Sequence, residues 1–251
     1  MVLAAVIVSQ LACGQTNGLD AAPASDYRVP SSDYEIAYSA EFLPEQGLAE
    51  VTIEVVQSGA RLRELDFNAP EDRYSNFSAD GTISREAQRV VWQPPTAGGR
   101  IVYRVRINQI RGTSYDALIT DDWAVLRLDD LFPPAKVRSL VGSRAHATLM
   151  LGGPQGWSFE TGYGRVDAPL AVRNPERRFV RPVGWLAAGE LGVRRDRFGE
   201  RRIAVAAPVG ESFRRLDILS FLHWTLDVVV EVFPSLPQRL LVVGGNRDMW
   251  R

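Results

Sequence analysis

The chain has 251 residues with a formal net charge of −1, and 45% of its residues are hydrophobic. This length can hold one large domain or two small ones, and the near-neutral charge excludes a strong field for attracting nucleic acid or an anionic membrane. One cysteine excludes an intrachain disulfide, and one cysteine with two histidines excludes a structural zinc site of the usual Cys/His kind built from this chain alone.

The N-terminal segment, residues 1–13, is typical of a secretory signal, because its apolar run is shorter than the ~20 residues that a spanning helix needs. Leu11-Ala12-Cys13-Gly14 resembles a bacterial lipobox, in which the cysteine becomes the lipidated first residue. Cys13 is therefore the predicted lipidation site, with residues 14–32 as a flexible tether. The predicted location is the cell envelope, periplasmic or outer surface, with membrane contact only through the lipid. Two alternatives stay open: a signal cleaved near Ala22-Pro23-Ala24, which would discard Cys13, and an ordinary cytosolic N-terminus.

Residues 33–210 predict an antiparallel, β-sandwich-like domain. Apolar and polar residues alternate with period two, and Gly, Pro and Asp mark the turns between the alternating segments. In Ala49–Val56, for example, Val51, Ile53 and Val55 share one face and the acidic residues lie on the other. The other predicted strands are Tyr34–Ala40, Leu62–Phe67, Arg89–Trp92, Arg100–Ile107, Ala124–Leu128, Ala145–Leu151 and Ile203–Ala207.

Several polar features of this region could suggest a site, and each has a simpler interpretation. Arg104 and Arg106 are expected to pair with glutamates of neighbouring strands rather than to bind an anion. Asp129-Asp130 is interpreted as an acidic turn before Pro133-Pro134, because no third ligand accompanies the pair at metal-binding spacing. The glycine-rich segments at 152–157 and 161–164 lack the residues of a phosphate-binding loop and predict turns. The arginine-rich stretch 194–202 is interpreted as a solvated hairpin rather than a nucleic-acid contact.

Residues 211–251 predict a long helix and a short strand. Asp217–Phe233 is interpreted as a helix that is apolar on nearly all sides, and Arg239–Val243 as an apolar strand, so both need cover from other elements. His223, Asp227 and Glu231 are spaced four apart and form one polar stripe. This stripe could hold a metal or a general base, but a solvated helix edge is the preferred interpretation, since it does not follow His-Glu-x-x-His.

The order of these features resembles the N-terminal region of the gluzincin zinc metallopeptidases, closest to the glycyl-aminopeptidase, PDZ-linked branch. The segments that carry the resemblance are Gly98–Val105, Arg202–Pro208, Leu219–Leu222, Phe233-Pro234 and Arg239–Val243. The resemblance implies an all-β domain that precedes a thermolysin-like α/β catalytic domain, of which the helix and strand are the start. It also implies that the chain ends before the His-Glu-x-x-His helix. No catalytic, cofactor-binding or metal-ligating residue is therefore carried over, and zinc belongs to the parent protein.

Three hypotheses follow. The first is a non-catalytic N-terminal part of an envelope-directed metallopeptidase-like protein, whose partners are the missing C-terminal catalytic domain and a peptide substrate, with no nucleic acid. The alternative is a free-standing β-sandwich envelope lipoprotein that acts as a binding module. A serine hydrolase that uses His146 or His223 as base is disfavoured, because the chain has no Gly-x-Ser-x-Gly.

Overall fold

The computed structural model describes residues 29–174, 177–233, 236–246 and 248–249, and in them the chain is mainly β. The helices are α1 (Leu128–Leu131) and α2 (Arg215–Val232), with a 3₁₀ turn at Pro44–Gln46. The strands in chain order are β1 (Tyr34–Leu43), β2 (Leu48–Gln57), β3 (Leu62–Asn68), β4 (Tyr74–Ala79), β5 (Thr82–Glu86), β6 (Arg89–Gln93), β7 (Gly98–Arg106), β8 (Gln109–Arg111), β9 (Ser114–Ile119), β10 (Trp123–Arg127), β11 (Ala135–Ser139), β12 (Ala145–Gly152), β13 (Ser158–Thr161), β14 (Gly164–Arg165), β15 (Leu170–Val172), β16 (Trp185–Gly189), β17 (Leu191–Phe198), β18 (Arg201–Pro208) and β19 (Arg239–Val243).

The strands of the described residues form four sheets. Their orders are β15-β12-β1-β2-β7-β4, β14-β13-β16-β10-β9-β8, β11-β3-β6-β5 and β17-β18-β19. Most neighbouring strands are antiparallel, so the predicted mainly β, antiparallel fold is confirmed. Two pairs are parallel, β1 with β12 and β18 with β19, and the period-two pattern of the sequence does not distinguish these from antiparallel pairs.

The main core forms because alternate residues of the central strands point inward. β1 buries Tyr34, Ile36 and Tyr38 and exposes Glu35 and Ala37 between them. Its neighbour β2 does the same with the valines and isoleucine predicted to share a face. Burying these faces against one another removes apolar surface from water, which is the main stabilising contribution to such a fold.

Buried tyrosine hydroxyls within this core donate hydrogen bonds to main-chain carbonyls. Tyr103 is fully buried, and its hydroxyl donates to the Leu131 carbonyl oxygen at 2.8 Å. The Tyr38 hydroxyl donates to the carbonyl oxygen of Val180 at 3.0 Å. Burial raises the pKa of both phenols well above the ordinary value. These neutral hydroxyls hold α1 and the segment around Val180 against the core, because an unpaired buried polar group would be costly.

The C-terminal elements form a parallel β-α-β unit. β18 leads into α2, and β19 returns beside β18 in parallel, with Ile203 opposite Leu240 and Val205 opposite Val242. α2 packs on the face of this sheet that carries Ile203, Val205 and Val242. The connection therefore has the helical crossover that a parallel strand pair requires.

The prediction that Asp217–Phe233 is one long helix, apolar on nearly all sides, is not supported. α2 buries Leu219, Leu222 and Leu226 against the three-stranded sheet, while Trp224 and Val228 on its outer side are exposed. The physical reason is that a single sheet face can cover only one side of a helix. Among the described helices, none is both long enough and apolar enough to cross a membrane.

Cys13, the signal-like segment and residues 14–28 of the predicted tether lie outside the described residues. Their role therefore stays a prediction. The structure begins to describe the chain just before β1.

Candidate functional site

A cleft in the described part of the chain lies between the β13–β14 hairpin and the β17–β18–β19 sheet. Its volume is about 600 Å³. We call it the arginine cleft, because five arginines line it together with one glutamate and one aspartate. These charged residues are Arg165, Arg195, Arg197, Arg202, Arg239, Glu160 and Asp196.

The strand register explains why three of the arginines meet. Arg197 lies opposite Arg202 across β17 and β18, and Arg202 lies opposite Arg239 across β18 and β19. Residues directly opposite on neighbouring strands share a face of the sheet, so these three form one row. Arg195, two residues before Arg197 on β17, lies on the same face.

The same sheet face is apolar at its other end. Ala206, Leu241 and Val243 lie there and pack against Trp123 and Trp185 of the neighbouring six-stranded sheet. The apolar end joins the two sheets, and the arginine end leaves the cleft between them. The change from apolar to basic residues along one face thus determines where the cleft lies.

The two carboxylates have different environments, because Asp196 alternates with Arg195 and Arg197 along β17 and so faces α2. Glu160 is only 2% exposed and forms an ion pair with Arg195. Asp196 is exposed, and its Oδ2 lies 2.8 Å from the Nε2 of His223 on α2. The hydrogen bond with His223, together with one from the Arg197 main-chain N–H, holds the pKa of Asp196 below its ordinary value.

Arg239 lies at one end of the arginine row and is partly desolvated. Burial lowers the pKa of its guanidinium below the ordinary value, and the neighbouring Arg202 charge lowers it further. Gly164 allows this approach: its φ is +134°, and a Cβ there would lie 2.6 Å from the Nη1 atom of Arg239. A side chain at position 164 would therefore displace Arg239 from the hairpin.

The predicted polar stripe of α2 is not brought together as a site. His223 contacts Asp196 of β17, whereas Asp227 and Glu231 are exposed along the helix. Within the described ranges, no three His, Cys, Asp or Glu side chains are close enough to hold a metal ion. The three residues of the stripe therefore do not form a metal site.

The other histidine lies elsewhere, on β12. The His146 Nε2 is 2.9 Å from the Oδ2 of Asp33, near the start of β1. Burial opposes ionisation of Asp33, but hydrogen bonds with His146, the Arg144 N–H and Ser32 outweigh it and lower the Asp33 pKa. The contact links the parallel pair β1–β12, which indicates a structural role.

The acidic pair Asp129-Asp130 is held by arginines. Asp129 accepts from Arg181 at 3.0 Å, and Asp130 accepts from Arg73 at 2.9 Å. The pair lies within α1 and contacts segments far away in sequence.

The prediction of cross-strand pairing is confirmed for Arg104, which lies opposite Glu50 with a 3.3 Å contact. Arg106 has no glutamate directly opposite it on β2, because the residue there is Leu48, so the predicted cross-strand pairing is wrong at this position.

A second surface of interest is the outer side of α2. Its large apolar side chains are exposed, with Trp224 at 83%, Val228 at 62% and Phe221 at 49%. They are spaced three and four residues apart, so they form one stripe along the helix. A contiguous exposed apolar stripe is typical of a surface that contacts another protein or domain.

Comparisons with known proteins give a fold relationship. A scan against protein-family models finds no match, and a search of curated proteins finds none either. Among solved structures, the chain is similar to an aminopeptidase N family protein from Idiomarina loihiensis, with a TM-score of 0.62 and 11% identity, over 85% of this chain and 43% of that chain. A second similar structure, Legionella pneumophila aminopeptidase A in complex with aspartic acid, has a TM-score of 0.44 and 10% identity, over 88% of this chain and 29% of that chain.

The first similarity shows that this chain shares its fold with part of an aminopeptidase N family protein. The chain spans less than half the length of either structure.

Proposed function

We propose that this chain is the β-rich, non-catalytic N-terminal part of a zinc-metallopeptidase-like protein of the glycyl-aminopeptidase type. The observation that carries the proposal is the fold likeness, which extends over 85% of this chain but only 43% of the aminopeptidase N family structure. More than half of that structure has no counterpart here. The zinc site and the peptide-hydrolysing groups would belong to a further, thermolysin-like catalytic domain.

The C-terminal β-α-β unit supports this division of roles. A parallel β18–β19 pair with its helical crossover is the repeating unit of α/β domains, whereas the rest of the chain is mostly antiparallel. β19 is the last strand of its sheet in the described residues, so its outer edge is where a further strand would pair. In this proposal the unit is the start of the catalytic domain.

The exposed stripe of α2 is the surface that the catalytic domain would cover. Trp224 and Val228 expose more than half of their area, and covering such side chains removes apolar surface from water. The occupant we propose is the remainder of the same polypeptide. The described chain would then form one wall of the cleft in which a peptide substrate binds.

Envelope targeting through Cys13 is part of the same proposal. The lipobox-like Leu11-Ala12-Cys13-Gly14 supports it, and the lipid would be the only membrane contact. Mass spectrometry of the mature N-terminus tests this step: a diacylglyceryl mass on Cys13 is expected. A mature chain that starts after Ala24 would contradict lipidation while leaving export intact.

The coding sequence that follows the Arg251 codon tests the main proposal. We expect an open frame that reaches His-Glu-x-x-His within about a hundred residues. The purified 251-residue chain is expected to show no zinc-dependent peptidase turnover, and turnover by this chain would contradict its non-catalytic role.

The arginine cleft favours a second candidate function, that of a free-standing β-sandwich envelope lipoprotein acting as a binding module. Its cavity and convergent charges are what a ligand site needs. A stop codon directly after Arg251 would support this candidate over the first.

A further inference from the structure

We propose that the outer stripe of α2 is covered by a helix of the remaining polypeptide that carries Lys or Arg beside its apolar side. The outer stripe is formed by Phe221, Trp224, Val228 and Val232. This inference rests on the proposed function, because it takes the occupant to be the rest of the same polypeptide. It adds the form and the charge of the surface that docks on α2.

The stripe is apolar and open along most of the helix. Trp224 is 83% exposed, and Phe221, Val228 and Val232 are 49%, 62% and 63% exposed. The opposite side of α2 is already occupied, since Leu226 packs against the three-stranded sheet. A surface that covers the stripe removes its apolar side chains from water, which favours association.

The shape of the stripe indicates that a helix covers it. From Phe221 to Val232 it extends about 16 Å at the 1.5 Å rise of each helical residue. At 3.6 residues per turn, its four side chains fall within about 80° of the helix circumference. Side chains spaced three and four residues apart form a narrow ridge, and such ridges pack into the grooves of another helix.

The charges beside the stripe indicate the chemistry of the covering helix. Asp227 and Glu231 follow Trp224 and Val228 by three residues each, so both carboxylates lie along the same side of the stripe. Both residues are exposed, and within the ranges that the structure describes neither takes part in an ion pair, whereas Asp217 pairs with Arg214. A basic side chain of the covering helix would pair with them, and an acidic one would meet a like charge.

The same charges disfavour a second copy of the chain as the occupant. Asp217 and Glu231 each lie seven residues from Trp224. Two α2 helices packed antiparallel about Trp224 would therefore place Asp217 of one copy opposite Glu231 of the other. Two helices packed in parallel would place each carboxylate opposite its own equivalent. Like charges at an interface oppose association.

Thiol labelling tests whether the stripe is covered. Val228→Cys is introduced into the 251-residue chain and into the longer protein that the open frame beyond Arg251 encodes. Peptide mass spectrometry follows maleimide labelling at position 228 separately from Cys13. We expect labelling to be at least about tenfold slower in the longer protein, because the covering helix must open first.

Val141→Cys is the matched control for coverage. Val141 is 92% exposed and lies between β11 and β12, away from α2. A thiol introduced there is expected to label at rates within about twofold of each other in the two proteins.

Charge reversal tests for the basic side chains of the covering helix. In the longer Val228→Cys protein, Asp227→Lys with Glu231→Lys is expected to raise the labelling rate about tenfold, and Asp227→Asn with Glu231→Gln to raise it less. High salt should reduce both increases, because it screens the charges. Glu45→Lys is the matched control, since Glu45 is exposed on the 3₁₀ turn after β1, and it is expected to leave the rate unchanged.

The outcomes separate this inference from the proposed function. Equal labelling of Val228→Cys in both proteins would overturn the inference alone, since a His-Glu-x-x-His sequence beyond Arg251 would still support the proposed function. A coding sequence that stops after Arg251 would overturn both.

Three further results would overturn the inference. Slow labelling of the 251-residue chain that becomes faster on dilution would assign the stripe to a second copy. A labelling rate in the longer protein that does not respond to charge reversal would overturn the basic character of the covering helix. An equal increase on charge reversal in the 251-residue chain would do the same, since it would reflect the reactivity of the thiol.

Discussion

Replacing Leu226 and Trp224 by alanine, one at a time, compares the two sides of α2. Leu226 is 4% exposed and belongs to the cluster with Ile203, Val205 and Val242, whereas Trp224 is 83% exposed. We expect Leu226→Ala to lower the free energy of unfolding substantially. Trp224→Ala is expected to change it very little, although it removes the larger side chain.

The magnitude follows from burial. Leucine to alanine removes three carbons, and at about 0.8 kcal/mol for each buried group the transfer contribution is about 2.4 kcal/mol. The cavity that remains adds to this cost, so a total of about 3 kcal/mol is expected. For Trp224 the small area covered on the isolated chain gives an expected change within about 0.5 kcal/mol.

Urea unfolding followed by far-ultraviolet circular dichroism measures both values, because this signal does not depend on the tryptophan that is removed. The slope of the free energy against urea should be similar for both variants, and only the midpoint should move. A loss of more than about 1.5 kcal/mol in Trp224→Ala would refute the reasoning, since it would mean that the outer side of α2 is covered in solution.

Other expectations concern the core, the cleft and pH. Tyr103→Phe should destabilise the chain by about 1–2 kcal/mol in urea unfolding, because the Leu131 carbonyl loses the buried donor. Glu160→Gln should lower the free energy of unfolding by about 1–2 kcal/mol, because it removes one partner of the ion pair with Arg195. This loss is smaller than for a fully buried ion pair, because Arg195 is half exposed. No loss of stability would show that the pair contributes little. Folding lowers the pKa of Asp33. Its carboxylate therefore stabilises the folded chain at pH values above 3.8, its ordinary pKa, and this contribution is lost as the pH falls through the lower pKa of the folded state. Asp33→Asn should therefore reduce stability at pH 7, and the difference from the unaltered chain should narrow below pH 3.8; a constant difference would contradict this.

The antiparallel strands could be predicted from the sequence because their pattern is local. In β2, Val51, Ile53 and Val55 are buried as the alternation requires. β4 could not be predicted in this way, since Tyr74 is its only buried residue and a register shift interrupts its pairing with β7. The parallel pairing of β1 with β12 brings together segments about a hundred residues apart, and no local pattern encodes such a contact.

The arginine cleft was missed for a related reason. Arg195, Arg197 and Arg202 were visible in the stretch interpreted as a solvated hairpin, and their spacing already places the first two on one strand face. The third strand of the row begins with Arg239, and only the β18–β19 register shows that it lies beside Arg202. The sequence signal that could have indicated the cleft is that a basic residue begins an otherwise apolar strand.

The two surfaces of the C-terminal unit lie on opposite sides of the same sheet, so their roles can be separated. α2 covers the face with Ile203 and Val205, and the arginines lie on the other face. A domain that covers Trp224 therefore leaves the cleft accessible. We expect Trp224→Ala to weaken association with a separately produced catalytic domain, and Arg239→Gln to leave it unchanged. If Arg239→Gln weakened that association about tenfold, the two surfaces would have to be one site, and their separation would need revision.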